Sequence, residues 1–442
     1  MLSCLPAAYV TGGGISQASP SLPIVLKHHR AHWCNVSPSD GAGTISRRMV
    51  LAAGQAAALL LPQGANAAKL EDEKFLAHLL KASSIYAVKV DSTRRAGPTA
   101  NQLSASRLVR ALGSQRAIFL GEHHPDLRDH LLQAAILRRM LATRKPLAVG
   151  LEAVQQQFQP VLNDYIARRI NEEQLFVATD WKRRWYWSFE AYLPILRICR
   201  EYGVDLVALD ADSEDKAKVE LGGLASLDHA KLLKYVPDLD DFEHFGGTRA
   251  FSDYVSYTLR PPFELMQKSG MKMTSSTDLV RDMTFTNFLA RQSLRDEAMA
   301  SASIEWLDQH PSGLLLGLLG TNHVKFSCGV PARTARQLAG GLDVVTSVLL
   351  NPTPANTFVD PLNLRVCDRT AVAHEACVRN DIEVQNYVLQ VPYATARGMA
   401  GVEEQTEDQA EAVSAMQAKR RSSVLALSDY LIFSPSGKTS VR

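Results

Sequence analysis

Residues 116–130 read RAIFLGEHHPDLRDH. Four apolar residues, Ala117 to Leu120, run into Gly121. Titratable groups then crowd the chain: Glu122, His123, His124, Asp126, Arg128 and His130. Imidazoles beside carboxylates serve general acid–base chemistry or ligate a metal. The pattern recurs. Gly150-Leu151 runs into Glu152, Val204–Leu209 into Asp210, and Leu314–Leu319 into Gly320-Thr321-Asn322-His323. Any one of these carboxylates could simply cap the helix after it. Four apolar runs ending the same way point instead to one crevice beyond the carboxyl ends of parallel strands. Two further stretches carry chemistry. WKRRWYWSFEAY (181–192) holds Trp181, Trp185, Tyr186, Trp187, Phe189 and Tyr192, which include three of the five tryptophans. Such a block anchors a core or walls a flat apolar ligand, with Arg183 and Arg184 available for carboxylates. Arg295, Asp296 and Met299 share one helical stretch, as a surface ion pair or as part of a buried polar site.

The elements that position these groups alternate. A weak strand at 85–90 precedes a helix over 102–113. Strand 117–120 leads to a helix over 126–142, with Pro125 suited to its first turn. Strand 147–151 leads to a helix over 154–170. Helix 189–202, closed by Gly203, precedes strand 204–209, and helix 285–309 precedes strands 314–319 and 344–350. Strands alternating with helices imply an α/β fold with a mostly parallel central sheet and helices on both faces. Wholly apolar strands fit burial on both sides. Residues 213–280 break the rhythm and read as a helical insertion. Residues 351–442 read as an irregular C-terminal extension, with one exposed helix over 402–421.

The net charge of +2 over 442 residues offers no basic stripe for nucleic acid. The first 67 residues stand apart, with four basic residues and one acid. Ser46-Arg47-Arg48 precedes the apolar run MVLAAGQAAALLL (49–61), and Ala65-Asn66-Ala67 offers a small-x-small cleavage site. We read residues 1–67 as a bipartite address, an organelle transit peptide followed by a twin-arginine signal, as in thylakoid-lumen precursors of chloroplasts. The mature chain would begin near Ala68. The apolar run is short for a membrane span, which needs about 20 residues, and no later segment is better suited. Cys199 reads as a core residue. Cys367 and Cys377 are candidates for a disulfide in an oxidising compartment.

Five motifs in order resemble the ChaN-like haem-binding family of the Tiki/erythromycin-esterase superfamily, over about residues 85–350. They are Gly121-Glu122-x-His124 with His130, then Gly150-Leu151-Glu152, then Trp185-x-Trp187 with Tyr192, Pro194 and Ile195. Arg295-Asp296-x-x-Met299-Ala300 follows, and last comes Gly320-x-x-His323-Val324 with Gly329-Val330-Pro331-x-Arg333. The resemblance implies a ChaN-like α/β domain over 68–350 that binds haem or a related tetrapyrrole, in bacterial relatives for iron or haem uptake and as homodimers. It implies a cofactor site among His124, His130, Trp185, Tyr186, Trp187, Tyr192, Arg295, Asp296 and His323. His124, His323, Tyr186 and Tyr192 are the axial candidates, since imidazole and phenolate both ligate haem iron. The residues suit a second class equally. In a metal-dependent hydrolase, Glu122, His124, Glu152 and His323 would hold a divalent metal, with one glutamate as base towards its bound water. A third class is a docking protein with a decayed site; retention of every titratable motif position argues against it.

Overall fold

The computed structural model describes residues 63–89, 99–143, 145–268, 283–352 and 426–435. Most of the leader, the 367/377 cysteine pair and the 402–421 helix lie outside them. One compact unit contains Phe75–Arg442; of a second, Pro6–Lys74, residues 63–74 are described and form the start of helix Gln63–Ala82.

Eight strands form one sheet: β1 (Ser84–Lys89), β2 (Thr99–Leu103), β3 (Ala117–Glu122), β4 (Leu147–Gln155), β5 (Asp205–Asp210), β6 (Leu314–Gly320), β7 (Val345–Leu350) and β8 (Tyr430–Phe433). Their spatial order is β2-β1-β8-β7-β3-β6-β4-β5. The six strands from β8 to β5 run parallel, and β1 pairs antiparallel with both β8 and β2. The expected α/β class with a mostly parallel sheet is what the chain adopts.

Side-chain alternation sends the strand residues into two cores. Ile118, Leu120, Val149, Leu151, Leu316 and Leu318 pack with helices Ala105–Gly113, Leu127–Met140, Gln159–Ile166 and Phe189–Tyr202. Ala117, Phe119, Ala148, Leu315 and Leu319 pack on the other face with helices Phe285–Gln309 and Val330–Gln337. Apolar residues at both parities are what this double burial requires.

Several boundaries differ from expectation. Residues 99–103 are not the run-in to a helix. They form edge strand β2, and helix Ala105–Gly113 starts at Ser104, whose hydroxyl accepts from the Arg107 N–H. Helix 154–170 is shorter: β4 continues to Gln155, and the helix is Gln159–Ile166, with Pro160 in its first turn. Pro125 lies before the cap, because Asp126 caps helix Leu127–Met140. The extension after 350 supplies β8, which joins the β1–β2 hairpin to the parallel core. Within 213–268, helices Ser213–Gly222 and His229–Tyr235 bury Val219 and Tyr235 against Leu294 and Ala298 of the long helix.

The outer edge of β5 is closed by a side chain. The Gln159 amide donates to the Leu206 carbonyl and accepts from the Ala208 N–H, both at 2.7 Å. It satisfies the donor and acceptor that a ninth strand would pair.

Candidate functional site

The strand order brings β3, β6, β4 and β5 side by side, so Glu122, Gly320, Glu152 and Asp210 meet along one rim. Registry aligns Glu122 with Gly320 and Leu151 with Leu318. Two buried polar clusters result.

The first is centred on Glu122. Its Oε1 accepts from His124 Nδ1 at 2.8 Å and from the Tyr192 hydroxyl at 2.7 Å; its Oε2 accepts from Gln133 Nε2 at 2.5 Å. His130 Nδ1 lies 3.4 Å from Oε2, and His130 Nε2 donates to the His124 carbonyl at 2.9 Å. Burial alone would raise the Glu122 carboxyl, but His130, His124 and the Tyr192 hydroxyl outweigh it and hold it at about 2. An ionised carboxylate only accepts, so it places the His124 proton on Nδ1. His124 stacks on Trp187 (centroids 5.7 Å apart) and meets the edge of Trp185 (4.8 Å). Burial and the Glu122 charge push the Tyr192 phenol well above its usual range.

The second cluster spans the rim to the long helix. Arg295 donates from Nε to Asp210 Oδ1 (2.9 Å) and from Nη2 to Asp210 Oδ2 (3.1 Å) and Glu152 Oε1 (2.8 Å). Lys216 Nζ adds a contact to Asp210 at 2.5 Å. The other Glu152 oxygen accepts from the Gly320 N–H at 2.6 Å. His323 bonds through Nδ1 to Asp296, and its Nε2 lies 3.1 Å from Arg295 Nη1 and 3.3 Å from Glu152 Oε1. Burial opposes protonation of His323, but Glu152 and Asp296 outweigh it and raise its pKa. Burial likewise opposes ionisation of Asp210, and Arg295 and Lys216 bring it down to about 2. Asp296 is therefore no surface partner, and the next residue, Glu297, is buried against Arg333 at 2.5 Å. Gly329 closes this loop because a Cβ there would lie 2.2 Å from the His323 carbonyl oxygen.

The structure thus gathers Glu122, His124, His130 and Tyr192 with Trp185 and Trp187, and separately Glu152, Arg295, Asp296 and His323. The two clusters are neighbours: His124 helps to lower the Glu152 carboxyl, and Thr321 donates to the Glu122 carbonyl. Tyr186 stands apart, 78% exposed between the two tryptophans. For the four residues named as metal ligands, the Arg295 guanidinium already balances Glu152. Among the described residues, no group of three His, Cys, Asp or Glu is arranged to hold a metal ion. Asp126 pairs with Arg128, and His130 is buried.

Sequence reading missed four polar features, of which Gln133 and Lys216 belong to these clusters. Gln133 follows His130 by three residues on the same helix, and Lys216 lies on the helix after the strand that ends in Asp210, a weak signal at best. Lys325 is fully buried, and burial pushes its ammonium down to about 7. The fourth is a dyad: His123 Nδ1 and its backbone N–H both reach Asp129 Oδ2, at 2.9 and 2.8 Å. The other Asp129 oxygen accepts from Asn351 Nδ2 at 2.6 Å. Burial raises this carboxyl, though His123 and Asn351 offset part of the rise.

Comparison with known proteins gives likenesses at the levels of sequence and fold. A chloroplastic Arabidopsis thaliana protein, RETICULATA-RELATED 5, is 26% identical over 269 residues, or 58% of this chain and 34% of that protein. The chain thus spans about a third of that curated relative. ChaN of Campylobacter jejuni, solved with cofacial haem, superposes with a TM-score of 0.41 at 16% identity, over 62% of this chain and 94% of its own. An erythromycin esterase mutant does so at 0.32 and 16%, over 57% and 77%. The sequence model of the haem-binding uptake ChaN family, Tiki superfamily, matches residues 108–334, just over half the chain and every motif named above. The protein belongs to the ChaN haem-binding family of the Tiki superfamily.

Proposed function

We propose that this protein binds haem or a related tetrapyrrole on the aromatic face around Tyr186, and that it does so in the chloroplast. Family membership sets the ligand class. The observation that carries the location is the contrast among the four axial candidates. His124, His323 and Tyr192 are each at most 2% exposed and hydrogen-bonded inside the protein, whereas Tyr186 is 78% exposed. A planar macrocycle reaches a phenol there without unfolding anything.

Trp185 and Trp187, its neighbours in sequence, pack against His124. The Glu122 cluster therefore acts as a buried brace for the haem face. Arg183, its side chain 73% exposed next to Asp180, stands ready for a propionate. Bound haem supplies an iron centre; the chain supplies the phenolate, the apolar walls and the counter-charge.

The test is an absorption titration with haemin. The expected result is a saturable Soret shift that Tyr186→Phe weakens and Tyr192→Phe leaves in place. Titration without saturation sinks the reading. Light scattering of the loaded chain tests the homodimer that the resemblance implies.

The chloroplast assignment rests on the curated relative and on the leader; the thylakoid lumen rests on Arg47-Arg48 and Ala65-Asn66-Ala67 alone. Import of a 1–67 fusion into isolated chloroplasts, with and without Arg47→Lys/Arg48→Lys, checks both.

A hydrolase stays as a second reading, on the buried Asp296–His323 pair, an arrangement that orients an imidazole as a base. Ester turnover abolished by His323→Gln would favour it.

A further inference from the structure

We propose that the arginine-rich end of one helix layer is a docking face for a bilayer whose surface carries anionic headgroups. The fold builds this face, and the net charge of +2 hides it. Helices Ala105–Gly113, Leu127–Met140 and Phe189–Tyr202 lead into the parallel strands β3, β4 and β5. Their carboxyl ends therefore gather at the amino end of the sheet, opposite the rim. Those ends carry Arg110, Arg138, Arg139 and Arg200. Arg168, just after helix Gln159–Ile166, joins them in space: its Nη2 donates to the Arg200 carbonyl at 3.4 Å.

Ion pairs cancel part of the charge at this end and leave an excess. Arg169 pairs with Asp164, and Arg197 with Glu172. Beyond those pairs, Glu173 and Glu201 face the five arginines Arg110, Arg138, Arg139, Arg168 and Arg200. A basic residue at a helix carboxyl end complements the helix dipole. The dipole alone does not account for the pattern. Helix Phe285–Gln309 leads into β6 and so ends at the same end of the sheet, on its other face. Its last turn has no basic residue, and Asp308 is exposed there. Asp343, just before β7, is exposed too. One side of this end is basic and the other acidic, which sets one orientation on a negative surface.

The basic side is ordered. The Arg138 guanidinium lies 4.3 Å from the centroid of the Tyr202 ring, and that of Arg200 4.7 Å from the centroid of Tyr165. Side chains held over rings have less freedom to lose against a partner. Arg110, Arg139 and Arg168 are exposed, and the Tyr202 ring beside them is 41% exposed. An aromatic ring with a polar tip is the kind of group that sits at headgroup level.

The partner class follows from the layout. The arginines come from helices packed side by side, and helix axes lie about 8–10 Å apart. One small anion cannot span them. A surface of many anions meets them all, each contact adding a modest increment.

The experiment is co-sedimentation of the full chain with vesicles of phosphatidylglycerol and phosphatidylcholine in equal parts, beside vesicles of phosphatidylcholine alone. The expected result is binding to the first and not the second, weakening as salt is raised. The variant Arg110→Gln/Arg139→Gln/Arg168→Gln is expected to bind about 100-fold more weakly, at about fivefold per arginine. It leaves both ring contacts intact, and a melting curve checks its fold. A charge-matched variant of exposed lysines elsewhere, Lys81→Gln/Lys182→Gln/Lys268→Gln, is expected to bind like the parent.

Equal binding to both vesicles overturns the inference, as does equal loss in the two triple variants. Binding unchanged in the arginine variant overturns it too, and assigns the contact to the leader or another surface. Capture of the chain by polyglutamate with no vesicle binding overturns it in favour of an acidic protein partner. No haemin is present, so each outcome leaves the haem-binding reading untouched.

Discussion

The two halves of the rim solve the same problem differently. Around Glu122, one buried carboxylate accepts hydrogen bonds from a histidine, a tyrosine and an amide, with the His130 ring 3.4 Å away. Around Arg295, one guanidinium holds two carboxylates, Glu152 and Asp210, while Asp296 holds the histidine next to it. The first half draws on residues 122–133 plus one helix. The second draws on β4, β5, the long helix and the loop after β6. A local cluster spreads its charge over many modest bonds, and a non-local one hangs mainly on one guanidinium, with Lys216 adding a second cation at Asp210 alone. Losing that guanidinium therefore costs more than losing any donor to Glu122.

The largest effect is expected from Arg295→Met. It leaves Glu152 buried without its cation and Asp210 with Lys216 alone, at a cost of about 3–5 kcal/mol in denaturant unfolding. Adding Glu152→Gln and Asp210→Asn should recover part of that loss. If the single variant is as stable as the parent, the asymmetry between the halves does not exist.

Acid comes next. The folded Glu122 pKa of about 2 lies below its ordinary 4.5. The stabilisation it reports is complete above pH 4.5 and is lost as pH falls towards 2, an amount on the order of 3 kcal/mol. His323 has the opposite sign. Its folded pKa is raised, so its contribution is complete below about 6.5 and is lost as pH rises through the folded value. Stability measured against pH should fall at the acid end through Glu122 and soften at the alkaline end through His323. Glu122→Gln should flatten only the acid limb, and His323→Gln only the alkaline one.

A smaller loss is expected from Tyr192→Phe, about 1.5–3 kcal/mol, since one hydrogen bond to a charged group goes while three other neighbours stay. A value near that for Arg295→Met would place Tyr192 at the centre of its cluster. The smallest is Gln159→Ala, about 1 kcal/mol, for losing the amide that closes the β5 edge. Hydrogen exchange confined to the Ala208 amide and its neighbours would sharpen that assignment.

Much of this was legible in the residues. Helices Phe189–Tyr202 and Phe285–Gln309 begin and end where their apolar spacing places them, and six strands lie on the apolar runs. Helical periodicity and strand burial are written in residue order, because each depends on neighbours a few positions away. The motif residues Glu122, His124 and Glu152 stand out because carboxylates and imidazoles at strand ends are conspicuous. β2 and β8 were not legible. TANQL carries no apolar alternation, and four residues at 430–433 become a strand only because β1 and β7 offer them hydrogen bonds.

Sequence by itself therefore determined the α/β class, the main elements and the types of group at the rim. Tertiary structure decided which groups meet. It placed β6 between β3 and β4, though β6 follows them by more than 150 residues, and so made neighbours of Glu122, Glu152 and His323. It buried Arg295 and Asp296 rather than leaving them at the surface, and it left Tyr186 outside while drawing Tyr192 in. The physical reason is that burial and ion pairing depend on distance in space, which strand order sets and spacing along the chain does not.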